Sequence, residues 1–441
     1  MMNLNDYLLT DSQLQFYIEN GYISLKSSRP AQLHQQILEK METVFEKEGN
    51  PGNNMLPRIP EIQEVLTDPV IDGALTSIVG QNYYVHPHRH PHFNAPGSSG
   101  QNLHKDSWSK RRHHTRWAMA FYYPQDTPIE QGPTGITPGS HYLNHGPGTT
   151  DEIALDGIAG TVVIVHYDLW HRAMPNLTNR KRFMLKFLFA RMEEPKKNQN
   201  SNWQVSDPLH RAMWRWHTGG SAHIESNASE ISVQDLAQSD EALAIRSAYQ
   251  LGEKGESSIS DLICAMTGPS EGLRQNASYG LAAMGALAVE PLAKLMDHND
   301  ESVRVSAIDT LGDLGLESTT VLDQIISVAG DDNPAIRRAS IDALGLVSQK
   351  SAKAVPALAA ALQDKDEWVK RNASLALSRL GPLAKSATSE LGKALQDENR
   401  YVRANALESL KRIGTEQSET IMFDFLWRAR WCSSTTSQST F

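Results

Sequence analysis

The sequence predicts a multidomain protein: helices leading into an antiparallel β-sandwich or barrel, followed by an all-α solenoid. Three observations predict it. Up to about residue 191, short apolar runs alternate with Gly, Pro and Asn, a spacing that favours a sandwich or barrel over a parallel α/β sheet. From about residue 241, a two-helix pattern recurs roughly every 33 residues. Between them lies a stretch rich in Ser, Gly and Asn, which reads as a linker. The expected division is 1–217 for the β-rich domain, 218–240 for the linker, 241–432 for the solenoid and 433–441 for a disordered Ser/Thr-rich tail.

Composition bounds the function. The 441 residues suffice for two or three domains with a sizeable core. A hydrophobic fraction of 40% and a charged fraction of 21% are those of an ordinary soluble protein. The net charge of -9, without a long basic run, argues against a nucleic-acid partner. Two isolated cysteines, Cys264 and Cys432, support neither a disulfide framework nor a thiolate zinc site, and a reducing, cytoplasmic location is expected. No basic-then-apolar leader opens the chain and no apolar run is long enough to span a bilayer, so no membrane association is expected.

The elements follow in order. Thr10 and Gln13 fit a capping box that opens a helix through Leu14, Tyr17 and Ile18, with Gly21 as its stop. Tyr22–Leu25 reads as a strand and residues 30–48 as a second helix, with a turn-rich patch at 49–54. Residues 161–165 form the clearest strand. In the strand from Arg182 to Phe189, period two puts Phe183, Leu185, Phe187 and Phe189 on one face, needing a helical cover. Arg182, Met184 and Lys186 then point inward. Residues 203–217, with three tryptophans, pack back on the barrel.

In the second half, Val303, Ile336, Val369 and Val402 begin matching segments. Each is followed by a basic residue (Arg304, Arg337, Lys370, Arg403) and an Ala/Leu-rich helix. Leu311-Gly312, Leu344-Gly345 and Leu380-Gly381 stand at or near the ends of these helices, and second helices follow. Weaker copies start near Ile245 and Leu273. Such units stack so that each buries its neighbour. The segments resemble HEAT repeats of the short, PBS-lyase-like type, which implies a possible protein partner on their surface. The basic residues are read as structural, paired with acids such as Asp309 and Asp342, ahead of an anionic partner.

Chemistry concentrates around Gln101–Trp108. On an extended strand His104 and Asp106 share a face, giving an imidazole and a carboxylate, two thirds of a three-point ferrous site. A His-x-Asp triplet alone is usually a surface accident. Downstream, however, stand Gly132-Pro-Thr-Gly-Ile-Thr-Pro-Gly-Ser-His141, then His171-Arg-Ala-Met-Pro-Asn176, then Arg182. With Leu9-Thr10, Gln13 and Asn20-Gly21-Tyr22 near the start, these stretches, in this order, resemble the phytanoyl-CoA dioxygenase family of iron(II)/2-oxoglutarate oxygenases over roughly residues 8–192.

The resemblance implies a double-stranded β-helix (a jelly roll, cupin-like) in which His104, Asp106 and His171 hold Fe(II). It implies Arg182 as the anchor of the distal carboxylate of 2-oxoglutarate, because a planar guanidinium matches a carboxylate bidentately. Tyr122 and Thr134 are expected near the co-substrate, and O₂ takes a remaining metal position. His166 competes with His171 for the ligand role, and Arg180 with Arg182 for the anchor. His88, His90 and His92, alternating with prolines, are expected with Trp108 as a wall of the substrate pocket. A second metal there is the lesser alternative. His113 and His114 are expected in solvent and His141 as a loop cap. A carboxylate at Asp106, where related halogenases carry a small residue, favours hydroxylation over halogenation. Three functions follow: hydroxylation of a small organic metabolite, hydroxylation of a protein or peptide docked by the repeats, and a non-catalytic scaffold.

Overall fold

Helix α1 (Asp11–Asn20) begins at the expected capping box: the Thr10 side chain accepts from Gln13 N, and Gln13 Oε1 accepts from Thr10 N. The structure, a computed structural model, describes residues 4–107, 112–147, 150–196, 203, 205–220 and 231–428. Trp108, Cys432, the Ser/Thr-rich tail and part of the expected linker therefore lie outside the described residues. After α1 come strand β1 (Tyr22–Lys26), α2 (Ala31–Glu48), the short helices α3 (Met55–Arg58) and α4 (Ile62–Leu66), and α5 (Pro69–Val79). The strands β2 (Tyr84–Asn94), β3 (Trp117–Tyr123), β4 (Thr134–Ile136), β5 (Ile153–Leu155), β6 (Thr161–His166), β7 (His171–Ala173) and β8 (Arg182–Ala190) follow, then α6 (Pro208–His217).

Five strands form one antiparallel sheet in the order β1-β6-β3-β8-β2, and three form another in the order β5-β4-β7. By strand pairing neither sheet closes on itself, so the region is β-rich with two open sheets. The period-two reading of β8 holds. Phe183, Leu185, Phe187 and Phe189 join Tyr17, Ile37, Met41 and Ile71 in a core under the helices. On the opposite face Met184 and Leu188 join Met119, Phe121, Val163 and Val165, together with Ile136 and Leu155 of the smaller sheet. All nine residues of β8 are buried, as expected of a strand covered on both faces.

By its contacts the chain divides into two compact units, residues 1–291 and 292–441. Helices α7 (Glu241–Glu253), α8 (Glu256–Thr267) and α9 (Glu271–Ala283), which the sequence groups with the repeats, lie in the first. They are fastened by polar and aromatic contacts. Arg211 pairs with Glu253 through two hydrogen bonds of 2.6 and 2.7 Å. Glu241 accepts from the backbone N–H groups of Asn144 and His145. His113 stacks on Tyr279 with ring centroids 4.0 Å apart and bonds the Tyr249 hydroxyl at 2.9 Å. His113 is thus buried, against the expectation that it is solvated, and His114 stacks on Trp216. Their basic neighbours in sequence concealed aromatic partners more than a hundred residues away.

Helix α10 (Val289–Lys294) spans the division, and the second unit repeats. Its first helices are α11 (Glu301–Asp313), α13 (Pro334–Val347), α15 (Glu367–Leu380) and α17 (Arg400–Ile413). The second helices, interleaved with them, are α12 (Leu322–Ser327), α14 (Val355–Ala361), α16 (Thr388–Ala394) and α18 (Glu416–Trp427). Each first helix is capped by Asp or Asn: Asp300, Asn333, Asp366 and Asn399. Val303, Ile336, Val369 and Val402 are fully buried. The Leu-Gly signature has a packing cause: a Cβ on Gly312 would sit 2.9 Å from Ala343 Cβ, and one on Gly345 would sit 2.8 Å from Ala376 Cβ. Only glycine lets these neighbouring helices approach so closely.

The basic residues are structural, but their partners are not those expected. Arg304 pairs with Asp331, Arg337 with Asp364 and Lys370 with Asp397, each acid 27 residues on, in the turn before the next first helix. Arg403 instead donates to the carbonyls of Asp397 and Glu398. Asp309 lies five residues after Arg304, off the shared i+3/i+4 face, and Asp342 pairs with Arg379 at 3.5 Å. No helix among the described residues is long and apolar enough to cross a membrane.

The ladder carries a stability prediction. Arg337 is buried and holds Asp364 through two hydrogen bonds of 2.7 and 2.9 Å, whereas Arg338 pairs with Asp366 at the surface. Denaturant titration of the repeat unit is expected to show Arg337→Ala costing about 2 kcal/mol, because the half-buried Asp364 loses two charge-assisted hydrogen bonds and keeps only the one from Asp366 N. Arg338→Ala is expected to cost under about 1 kcal/mol.

Candidate metal centre

The strap that carries His104 is not a full strand. It makes one isolated bridge, His104 to His171 at the start of β7, and this bridge builds the site. Two backbone hydrogen bonds join the pair: His104 N to His171 O at 3.0 Å and His171 N to His104 O at 2.8 Å. Gln101 N adds a bond to Ala173 O at 2.9 Å. The strap still alternates. His104 and Asp106 face His171, while Lys105 and Ser107 turn the other way to Asp168. Lys105 Nζ lies 3.6 Å from Asp168 Oδ1, which also accepts from the Ser107 hydroxyl.

One ligand atom from each of His104, Asp106 and His171 lies within 4.8 Å of the others. Asp106 Oδ2 is 3.5 Å from His171 Nε2, and Oδ1 is 3.9 Å from His104 Nε2. Each imidazole is pinned through its far nitrogen. His104 Nδ1 bonds Asn102 O and His171 Nδ1 bonds Leu169 O, both at 2.9 Å. A carbonyl only accepts, so each Nδ1 carries a proton, and Nε2 is the nitrogen that each ring can offer to a metal. The donor set of two imidazole nitrogens and one carboxylate suits a divalent first-row metal. Burial opposes ionisation of Asp106, but the His171 imidazole and the Lys186 ammonium beside it outweigh burial and hold the carboxyl well below the usual range.

Arg182 lies on the inner face of β8, almost fully buried. Its Nε donates to Gly132 O at 2.9 Å, and no carboxylate among the described residues lies within ion-pair distance. Burial depresses its pKa, partly opposed by Tyr123. The Gly132 loop is held from both sides: Asn94 Nδ2 donates to Gly132 O at 3.1 Å and to Met174 O at 2.9 Å. A Cβ at Gly132 would stand 2.5 Å from Asn94 Nδ2 and 2.6 Å from Met174 O, and its φ of 70° favours glycine as well. Arg180 is exposed at the turn before β8, where its carbonyl accepts from Asn176.

Other expected residues sort by face. Tyr122 is on the helix-covered side of β3, where its hydroxyl bonds His34 Nδ1 at 2.8 Å. Tyr122, expected near the co-substrate, therefore faces away from Arg182, and its neighbour Tyr123 faces towards it. Tyr123 faces the interior, bonds Thr134 Oγ1 at 2.9 Å and acts electrostatically on Arg182. Through Tyr123, Thr134 is thus tied to the surroundings of Arg182. His90 and His92 pair in register with Lys186 and Met184, on the inner face of the edge strand β2, with His88 next to His90. Prolines are tolerated there because an edge strand needs no second hydrogen-bonded neighbour.

His92 Nε2 is buried without a hydrogen-bond partner. Burial, then the charges of Lys186 and Arg182, push its pKa down to about 3, so the ring is neutral. His166 is not in the metal group. It is buried behind the strap, its Nδ1 accepting from Asp168 N at 3.2 Å. His141 is buried beside it in a one-turn helix at the loop, with ring centroids 5.0 Å apart. Sequence reasoning placed Lys186 inward but gave it no task, and it missed Asp168 entirely. Alternation along β8 could have flagged Lys186, because a cation pointing into a core needs a partner.

Residues 19–184 match the phytanoyl-CoA dioxygenase family. Residues 322–387 match HEAT repeats. The phytanoyl-CoA dioxygenase match contains His104, Asp106, His171 and Arg182. No curated protein matches the chain. Among solved structures, the chain is similar to the non-heme alpha ketoglutarate dependent carbocyclase SnoK from nogalamycin biosynthesis, at 20% identity and a TM-score of 0.36, over 42% of this chain and 85% of that one. It is also similar to HygX from Streptomyces hygroscopicus with nickel and 2-oxoglutarate bound, at 14% identity and a TM-score of 0.35, over 41% of this chain and 87% of that one. Likenesses this distant carry no argument about chemistry.

Titration with Co(II), followed by its visible absorption, tests the ligand assignment. His104→Ala and His171→Ala are each expected to weaken binding at least about tenfold, while His166→Ala keeps it. Asp168→Ala, which frees the strap at Lys105 and Ser107, is expected to weaken binding by about tenfold.

Proposed function

We propose that the first unit is an Fe(II)/2-oxoglutarate-dependent oxygenase that hydroxylates a C–H bond of a small organic molecule. One observation carries the reading: the three-donor cluster and an acid-free buried arginine occur together around the inner face of one sheet. The sheets are read as the two halves of a jelly roll, with the metal ligands at its mouth. Iron(II) with 2-oxoglutarate and O₂ would supply the oxidising power, giving succinate, CO₂ and one hydroxyl group on the substrate.

The protein's own tasks are positioning tasks. His104, Asp106 and His171 bind on one side and leave the other open. Arg182 pairs with the distal carboxylate of the co-substrate, which explains a guanidinium buried without an acid. The Gly132 carbonyl orients that guanidinium, and Asn94 and Asn176 hold the loop and the strand ends around it. His88, His90 and His92 line the substrate side together with Lys186. Asp106 keeps the position that chloride takes in related halogenases, which favours hydroxylation. The repeats are read as a protein-binding scaffold, so a protein or peptide substrate is the second reading.

Succinate formation from 2-oxoglutarate, measured with Fe(II) across a metabolite panel, tests the main reading. Arg182→Ala is expected to raise the KM for 2-oxoglutarate by more than about tenfold, the loss of one charge-assisted bidentate pair, with Arg180→Ala unchanged. If no panel member stimulates turnover but a protein extract does, and removal of residues 292–441 abolishes that stimulation, the second reading replaces the first.

A further inference from the structure

We propose that Lys186 holds Asp106 to a single ligating oxygen and so keeps the open face of the metal free for a chelating co-substrate. The inference rests on the oxygenase reading above and adds a residue to it. Lys186 lies on β8 in register with His90 on one side and Phe121 on the other. The Phe121 ring is 5.5 Å from that of His171, so Lys186 opens directly onto the ligand cluster. Its side chain is only 6% exposed, and its Nζ donates to Asp106 Oδ2 at 2.5 Å. Asp106 is its one ion-pair partner among the described residues.

The two oxygens of Asp106 are therefore not equivalent. Oδ2 accepts from the ammonium at 2.5 Å and lies 3.5 Å from His171 Nε2, while Oδ1 accepts no hydrogen bond among the described residues and lies 3.9 Å from His104 Nε2. A divalent metal at the cluster would meet one carboxylate oxygen without a hydrogen-bond donor and the Nε2 atoms of two imidazoles. Free carboxylates bind metals through one or both oxygens. Two-oxygen ligation here would consume a fourth position and obstruct a ligand that needs two adjacent ones. A buried ammonium is costly without a counter-charge, so the Lys186–Asp106 bond persists when the metal occupies Oδ1. The ammonium also repels the metal, so Lys186 weakens metal affinity if it acts at all on that term. Its benefit lies in the second ligand. This makes it a positioning residue, distinct from the metal ligands and from Arg182.

The experiment uses the full chain loaded with Co(II), whose visible spectrum reports both affinity and coordination number, and titrates it with 2-oxoglutarate. Lys186→Met and Lys186→Gln are expected to bind Co(II) at least as tightly as the parent. They are expected to bind 2-oxoglutarate at least about tenfold more weakly, the scale of an outer-shell support, with an altered Co(II) spectrum before 2-oxoglutarate is added. Lys186→Arg, which keeps the charge and the hydrogen bond, restores both. Unchanged 2-oxoglutarate affinity in folded Lys186→Met or Lys186→Gln overturns the proposal while leaving the oxygenase reading standing, as does loss of Co(II) binding in both. Failure of the parent chain itself to bind Co(II) overturns both together.

Discussion

The site depends on one pair of backbone hydrogen bonds, those between His104 and His171. They form the one β-bridge that the described part of the strap makes, joining it to the first residue of β7. Side chains alternate with period two, so a one-residue slip would turn Lys105 and Ser107 towards His171 and send His104 and Asp106 away. The reverse side of the strap guards against that slip. Asp168 engages both Lys105 and Ser107, and burial pushes its carboxyl up to about 6 against the opposing Lys105 charge. The register is therefore fixed from two sides by residues that do not touch the metal position. The two Nδ1 bonds to Asn102 and Leu169 then follow from backbone position, and they set which nitrogen each ring offers.

Strand β8 is the second ruler. Its outer face supplies four apolar side chains to the helix-covered core, and its inner face presents Arg182, Met184, Lys186 and Leu188 in order. The spacing along one rigid, fully buried strand separates the two cations. Lys186 reaches the carboxylate of the ligand cluster, and Arg182 meets the Gly132 loop two inward positions away. A site built on such a strand keeps its geometry through packing. The neutral imidazole of His92 stands between those cations on the adjoining edge strand, its Nε2 unsatisfied.

Much of this was legible because it is periodic or local. The capping box, the alternation of β8 and the recurrence of the repeats are written in neighbouring residues. Several other features depend on pairing across distance. Tyr122 and Tyr123 are adjacent, and only the facing of β3 decides which one meets Arg182. His113 sits in a basic run, yet its burial comes from Tyr249 and Tyr279, far along the chain. The ladder acids lie 27 residues beyond their partners because stacked helices bring the next turn alongside, a distance that no single-helix rule anticipates. Which strands pair into which of the two sheets is likewise decided by residues far apart in the chain.

The ladder also bears on where function resides. Arg304, Arg337 and Lys370 each face an acid supplied by the next turn, so their charge is spent within the stack and offers no field to an anionic partner. A repeated basic residue with a repeated acidic answer is the signature of neighbour-to-neighbour stability. Arg182 has the opposite character. It is as buried as any aromatic in the core, and its neighbours are a carbonyl and a tyrosine. In a finished core such an isolated guanidinium would be a defect, because a buried charge without a counter-charge destabilises the fold. In the proposed oxygenase the same isolation would leave the guanidinium free to pair with the distal carboxylate of a dicarboxylate co-substrate.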